Sequence, residues 1–210
     1  MAVVHDQDFE QSLRTLALPG INIGHRLITV GDEDALLPEE ASAFVRSAVR
    51  VQRASGAARI VARSLLHRLG HEMTALPKSL GGAPIWPKGI RGSLAHDSRV
   101  AVAAVGTTEK LEAVGIDVEP AEILSPDLLD LVTTPRERAR IDSDPYRGRL
   151  FFVAKEAAYK AVYPLDRTFL DHHDVEIDLA NQQATLHNGR VVELRFCIST
   201  HLVALAFLRS

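Results

Sequence analysis

The chain has 210 residues, 46% of them hydrophobic and 24% charged, the proportions of an ordinary globular protein. Its 24 Lys and Arg stand against 27 Asp and Glu, a net charge of −3. These figures exclude a disordered tail, a collagen-like fibre and a highly charged scaffold, and nothing in the total announces a nucleic-acid binder. The length admits one domain or two packed half-sized units, at about 100–200 residues per domain. The one cysteine, Cys197, cannot form an internal bridge and lies in the apolar stretch Arg195-Phe196-Cys197-Ile198, so it reads as a buried, inert thiol. Met1 to Asp6 lacks the basic-then-apolar pattern of a secretory signal, and the longest apolar strip, Val100 to Val105, is far below the ~20 residues that span a bilayer. A cytoplasmic protein with no membrane partner is expected.

Residues 1–24 form a short mixed segment closed by Pro19-Gly20. Arg26 to Val30 then reads as a strand and Asp32-Glu33-Asp34 as an acidic turn. Pro38-Glu39-Glu40 opens a helical region with proline at its start and carboxylates in its first turn. Its period runs through Val61, Leu65 and Leu69 to a stop at Gly70. The Gly- and Pro-rich stretch from Pro77 to Gly92, around the only tryptophan, Trp86, excludes a helix. Residues 100–105 and 113–118 read as strands, the first nearly all apolar and so buried. Thr134-Pro135-Arg136-Glu137 has the full set of helix-start signals: a threonine cap, proline in the first turn, glutamate three after the cap. A further helix is predicted from about Arg149 to Val162, stopping before Pro164. Residues 174–208 alternate like two or three strands, with turns at Asn181 and Asn188-Gly189.

An internal echo sets the architecture. Gly92-Ser93-Leu94-Ala95-His96 leads into the apolar strand 100–105, and Cys197-Ile198-Ser199-Thr200-His201 leads into Leu202 to Phe207. Each follows an alanine-rich helical stretch, 57–69 and 153–162. Helix then hairpin, twice over, predicts an α+β fold of two similar halves, 1–110 and 111–210, each a helix packed on antiparallel strands. A pseudo-twofold would relate them, with the site between.

Four groups of residues are candidates for chemistry. Between Ala41 and His71 stand six arginines (Arg46, Arg50, Arg53, Arg59, Arg63, Arg68) and no carboxylate. Arg46, Arg50 and Arg53 share one helix face at i, i+4, i+7, and arginine forks suit phosphate oxygens. The alternative reading is a solvated face. In Val114-Gly115-Ile116-Asp117-Val118-Glu119-Pro120, residues two apart on a strand point the same way, so Asp117 and Glu119 present paired carboxylates at the strand end. Hard oxygen ligands with room for water and a phosphate are how Mg²⁺ is usually held. Glu156 and Lys160 share a helix face with Lys155 alongside, a set able to complete a metal site or to form a routine Glu–Lys pair. His96 ends a strand just after the Gly/Pro loop.

Each group is weak by itself; their order and spacing are not. The run Pro84-Ile85-Trp86-Pro87-Lys88-Gly89, Gly92-Ser93-Leu94-Ala95-His96, Gly115-Ile116-Asp117-Val118-Glu119 and Ala154-Lys155-Glu156-Ala157-Ala158-Tyr159-Lys160-Ala161 resembles the 4′-phosphopantetheinyl transferases. Within them it resembles the larger pseudo-dimeric group, of the enterobactin-synthetase-activating type. Ala58-Arg59-Ile60-Val61-Ala62-Arg63-Ser64-Leu65 is similar to that group's early helix motif, and the likeness covers about residues 45–165.

The resemblance implies a monomeric enzyme that moves the phosphopantetheine arm of coenzyme A onto a serine of an apo acyl, peptidyl or aryl carrier protein, releasing 3′,5′-ADP. Pathways of that kind make fatty acids, polyketides, siderophores or nonribosomal peptides. It implies Mg²⁺, with Mn²⁺ as the alternative, on Asp117, Glu119 and Glu156, with Glu156 also as the base. Lys155 and Lys160 would neutralise the departing phosphate. His96, Ala95 and Arg59, with Arg50 or Arg53, would hold the 3′-phosphate, and Gly81, Gly82 and Pro84 would line the adenine. Two departures stand out: Gly81-Gly82-Ala83 occupies the place of a family lysine, and Asp97 follows the histidine where a hydroxyl or thiol is usual. A carboxylate there disfavours an anion unless it turns away. The competing readings are a Mg²⁺-dependent phosphodiesterase or nuclease, whose arginines would track a nucleic-acid backbone, and a non-catalytic coenzyme A-binding module. Against the nuclease, no aromatic residues interleave with the arginines to stack bases.

Overall fold

Two antiparallel sheets follow one repeated plan. The computed structural model describes residues 2–141 and 144–210, with the backbone alone for residues 2–6; Met1, on which the N-terminal reading partly rests, lies outside the described residues. In chain order the first half contains α1 (Ala2–Arg14), β1 (Asn22–Leu27), α2 (Pro38–Ala41), α3 (Val49–Arg68), β2 (Ile90–His96) and β3 (Val100–Thr107). The second contains β4 (Leu111–Pro120), α4 (Pro126–Val132), α5 (Pro135–Arg138), α6 (Arg147–Asp166), β5 (Val175–Asp178), β6 (Gln183–Leu186), β7 (Val191–Ile198) and β8 (His201–Arg209). The first sheet is ordered β1-β3-β2 and the second β4-β8-β7-β6-β5. Strand, long helix, then hairpin therefore occurs twice with the same strand order, and β5 and β6 extend the second copy. The α+β class and the two similar halves are as the sequence predicts.

Small residues let each helix lie close on its sheet. On α3, Ala57, Ala58, Val61, Ala62, Leu65 and Leu66 are buried at helical spacing, against β3 residues that are buried without a break from Val100 to Val105. On α6 the equivalent face is Val153, Ala154, Ala157, Ala158, Ala161 and Val162. Its tightest approach is at Gly115, where any Cβ would overlap the Ala157 carbonyl and the Ala161 nitrogen. Each buried leucine or valine of these faces contributes about 1.5–3 kcal/mol relative to exposure. Gly70 closes α3 at φ 84°, a left-handed conformation in which the His71 N–H reaches the Leu66 carbonyl at 3.0 Å.

Several expected boundaries move. Residues 2–14 are a helix, with Phe9 and Leu13 buried on one face and Leu16 buried in the turn that follows. The first strand ends at Leu27 rather than reaching Val30. The region from Pro38 is broken: α2 ends at Ala41, a 3-10 turn spans Ser42–Phe44, and α3 begins only at Val49. Arg46 thus lies outside the helix and shares no helix face with Arg50 and Arg53. Helix α6 runs through Pro164 to Asp166, because a proline in the last turn removes only one hydrogen bond from a helix already anchored by its buried alanines. The C-terminal region has four strands, not two or three. Among the described residues no helix is long and apolar enough to cross a membrane.

Candidate active site

The metal-like carboxylates lie where β4 leaves the second sheet beside α6. Asp117 and Glu119, two apart, pair with Ala204 and Leu202 of β8 and face the same way. Asp117 is 6% exposed; its Oδ1 accepts from Lys160 Nζ at 2.6 Å, and its Oδ2 is buried with no hydrogen-bond partner. Glu119 is half-buried and accepts from Arg149 at 2.9 Å. Glu156, one turn before Lys160 on α6, has its Oε1 4.0 Å from His172 Nε2.

These groups perturb one another. Burial raises the Asp117 carboxyl above its usual range, with Lys160 opposing. Burial and the Asp117 charge raise Glu119, with Arg149 opposing. Burial, then Asp117 and Glu119, raise Glu156 against the pull of Lys160. His96 is lowered, first by burial and then by the Lys160 charge. Three carboxylates that repel one another, one with an unpartnered buried oxygen, fit a hard divalent cation. Among the described residues no three such side chains are gathered to ligating distance as they stand. Lys160 and Arg149 hold Asp117 and Glu119 instead.

Three cavities are relevant to this centre: two share Tyr159, and the other is linked to it through His96, on which the Lys160 charge acts. One of about 410 Å³ is lined by Arg50, Arg53, His96, Asp97 and Ser98. A second of about 210 Å³ lies between the 81–84 loop with Ser93 and Leu94 on one side and Tyr159, Lys160 and Tyr163 on the other. A third of about 410 Å³ is walled by Leu131, Glu156, Tyr159, Phe169 and His172. Gly81, Gly82 and Pro84 therefore come to the cleft between the halves, with Lys160 opposite.

Four expectations change. Lys155 borders the third cavity without opening into it: it is 1% exposed, 2.7 Å from Glu137, and donates to the carbonyls of Val132 and His172 at 2.9 and 2.8 Å. All its donors are spent inside the protein. Arg59 is 3% exposed and likewise turned inward, donating to the carbonyls of Leu76 and Ser55 with Glu40 at 3.5 Å. Ala95 has its side chain in the core, leaving only backbone to the site. The arginine strip is not an open basic face, because the acidic segment before it folds back over it. Glu33 takes Arg53 through two 2.8 Å bonds, and buried Glu40 takes Arg63 at 3.0 Å. Arg50 is exposed and has no ion pair among the described residues.

Sequence reasoning also missed residues that build the site. Arg149, Tyr163 and His172 carry no motif of their own, and Tyr159 lies inside the run from Ala154 to Ala161 without a role assigned to it there. The i, i+3 spacing of Tyr159 to Glu156 was the available signal for one of them.

Comparison with known proteins shows the family of this chain. Residues 39–106 match the family model for the 4′-phosphopantetheinyl transferase N-terminal domain, and residues 113–206 that for the 4′-phosphopantetheinyl transferase superfamily. The chain is 36% identical over 155 residues to the 4′-phosphopantetheinyl transferase Npt of Nocardia iowensis, covering 72% of this chain and 70% of that protein. It is 37% identical over 160 residues to the 4′-phosphopantetheinyl transferase PptT of Mycobacterium tuberculosis, covering 74% and 70%. To enterobactin synthase component D of Escherichia coli it is 33% identical over 113 residues, covering 50% and 51%.

Proposed function

The chain belongs to the 4′-phosphopantetheinyl transferase family, and on that premise we propose that it uses the cleft between its halves to transfer phosphopantetheine from coenzyme A to a carrier-protein serine. The observation that carries this reading is the adjacency of an anion pocket to a carboxylate–lysine centre. Arg50, Arg53 and His96 line the first; Asp117, Glu119, Glu156 and Lys160 form the second.

The 3′-phosphate fits the pocket of Arg50, Arg53 and His96, and the adenine fits against Gly81, Gly82 and Pro84. Asp117, Glu119 and Glu156 would hold Mg²⁺, which when bound would offset charge building on the pyrophosphate. Glu156 takes the proton of the attacking serine. The serine oxygen then bonds to the phosphorus of the phosphopantetheine phosphate, and the bond from that phosphorus to the bridging oxygen breaks. Lys160 stands ready to donate to the phosphate of the departing 3′,5′-ADP. The apolar walls of the third cavity suit the pantetheine arm. Leu131 and Phe169 are exposed on its wall, and bare apolar side chains there suit a protein partner.

The test is incubation with coenzyme A, Mg²⁺ and an apo carrier protein, read by intact mass. The expected result is a gain of one phosphopantetheine. Glu156→Ala is expected to abolish that gain while leaving coenzyme A binding largely intact; equal transfer by wild type and variant would overturn the role of Glu156.

A further inference from the structure

The residue after His96 is an aspartate, and it lines the same cavity as Arg50, Arg53 and His96. A free carboxylate at that place repels a phosphate. The Asp97 charge is also felt at the second centre, where it adds to the burial and the Asp117 charge that raise the Glu119 carboxyl. Yet neither oxygen of Asp97 is free. Oδ1 accepts the Arg99 and Val100 N–H groups at 2.6 and 2.7 Å, closing the turn between β2 and β3. Oδ2 lies 3.0 Å from Nε2 of His201, a buried nitrogen with no other partner among the described residues. Burial works against the Asp97 charge, but the pull of His201 and the two backbone bonds prevail, and the carboxyl sits below its usual range.

His201 itself is held on every side. It is the first residue of β8 and 2% exposed; its Nδ1 lies 3.0 Å from the Thr200 hydroxyl, and its ring packs on Phe9 of α1 at 5.2 Å between centroids. It comes from the second half and Asp97 from the first, so the contact spans the join between them.

We propose that His201 is a positioning residue of the anion pocket: from the second sheet it holds the Asp97 carboxylate away from the phosphate that Arg50, Arg53 and His96 receive. This rests on the reading of that pocket as the 3′-phosphate site. An imidazole from one half thus sets the charge balance of a cavity in the other.

The experiment compares two ligands that differ only in that phosphate, coenzyme A and 3′-dephospho-coenzyme A, by calorimetric affinity, with no carrier protein needed. His201→Gln is expected to reduce the preference for coenzyme A by about tenfold, the size of one unfavourable charge contact at partial screening, while leaving dephospho-coenzyme A binding little changed. Asp97→Asn in the same chain is expected to restore the preference, since the carboxylate no longer needs holding. Asp97→Glu leaves the buried His201 side chain itself unchanged. It keeps the charge but cannot keep both contacts, so it should lose preference as His201→Gln does. A His201→Gln variant that weakens both ligands equally, or one that Asp97→Asn fails to rescue, overturns the proposal and leaves His201 as packing. His96→Ala and Arg50→Ala separate the two layers of inference. If they leave the preference untouched the phosphate pocket itself is misassigned; if they abolish it while His201→Gln and Asp97→Glu do not, only the role of His201 falls.

Discussion

Lys160 Nζ and Asp117 Oδ1 meet at 2.6 Å, joining α6 to the end of β4 across the floor of the cleft. The pair is only partly closed to water, with side-chain exposures of 30% and 9%. Lys160 is therefore a tether, and on the proposed reading it is also the cation that would meet the reacting phosphate. Replacing it with glutamine removes the charge from a site where such a donor contributes about a hundredfold to the rate. It also leaves Asp117 buried without its counter-charge. Lys160→Gln is expected to lower transfer by about two orders of magnitude and the unfolding midpoint together. Adding Asp117→Asn should recover much of the stability and none of the transfer. Urea denaturation and carrier mass shift on the same three proteins check both halves of the statement.

The parts of this site that were legible in the sequence are those fixed by local periodicity. Asp117 and Glu119 share a face because a strand has period two. Glu156 and Lys160 share one because a helix brings i and i+4 together. The same rule puts Lys155 about 140° round the helix from Lys160, at 3.6 residues per turn, so the two lysines could not both face the cleft. What chose between them was Glu137, buried 18 positions before Lys155 and bonded to the Thr134 and Ile177 N–H groups. Nothing local announces that partner. The arginine strip failed for the same reason: Glu33 and Glu40 lie outside the window that was counted, and chain reversal brings them onto Arg53 and Arg63. Helix α1, by contrast, was legible and missed, since Phe9, Leu13 and Leu16 stand at i, i+4 and i+7.

Lys155 separates a structural lysine from a catalytic one. Its ammonium is buried against Glu137, and burial pulls its pKa down while Glu137 pulls it up. Removing one member of a buried pair strands the other, at a cost of about 3–5 kcal/mol. Lys155→Met is expected to cut stability on that scale. At low temperature, where the folded fraction survives, its affinity for 3′,5′-ADP should match that of the wild type. A loss of affinity measured on folded protein would return Lys155 to the phosphate site.

The acidic segment ahead of α3 sets part of the acid limit of stability. Arg53 and the Gly31 N–H, with the Glu33 backbone, hold the Glu33 carboxyl down to about 2. Asp32 is lowered as well: burial opposes its charge, but Arg26 and the Thr29 N–H outweigh it. Both groups bind protons less tightly folded than unfolded. Their contribution is complete above the ordinary values of 4.5 and 3.8 and is lost as pH falls through the folded values. Glu33→Gln should therefore flatten the acid limb of the unfolding midpoint between about pH 4.5 and 2 and change little at pH 7 beyond a constant offset. An acid limb of unchanged slope would show that Arg53 does not engage Glu33 in solution.

Gly115 is the position where packing and catalysis meet most directly. It lies two residues before Asp117 on β4, opposite Ala206 of β8, with the Ala157 carbonyl of α6 where its Cβ would be. The obstacle is backbone, so no side chain can rotate aside; a methyl group must push the helix from the strand. Overpacking of that kind costs about 1–3 kcal/mol or more. The same displacement moves Glu156 and Lys160, the residues just before Ala157 and Ala161, away from Asp117. It leaves Arg50, Arg53 and His96 in the other half where they are. Gly115→Ala is thus expected to lower transfer far more than coenzyme A affinity, an asymmetry that simple destabilisation does not produce. Gly106→Ala gives the comparison, since its Cβ would also strike backbone, the Gly20 carbonyl, but in the first sheet and away from the carboxylates. At matched stability, Gly106→Ala should retain the larger share of activity, and parity between the two would mean that the approach of α6 to β4 does not set the geometry of the site.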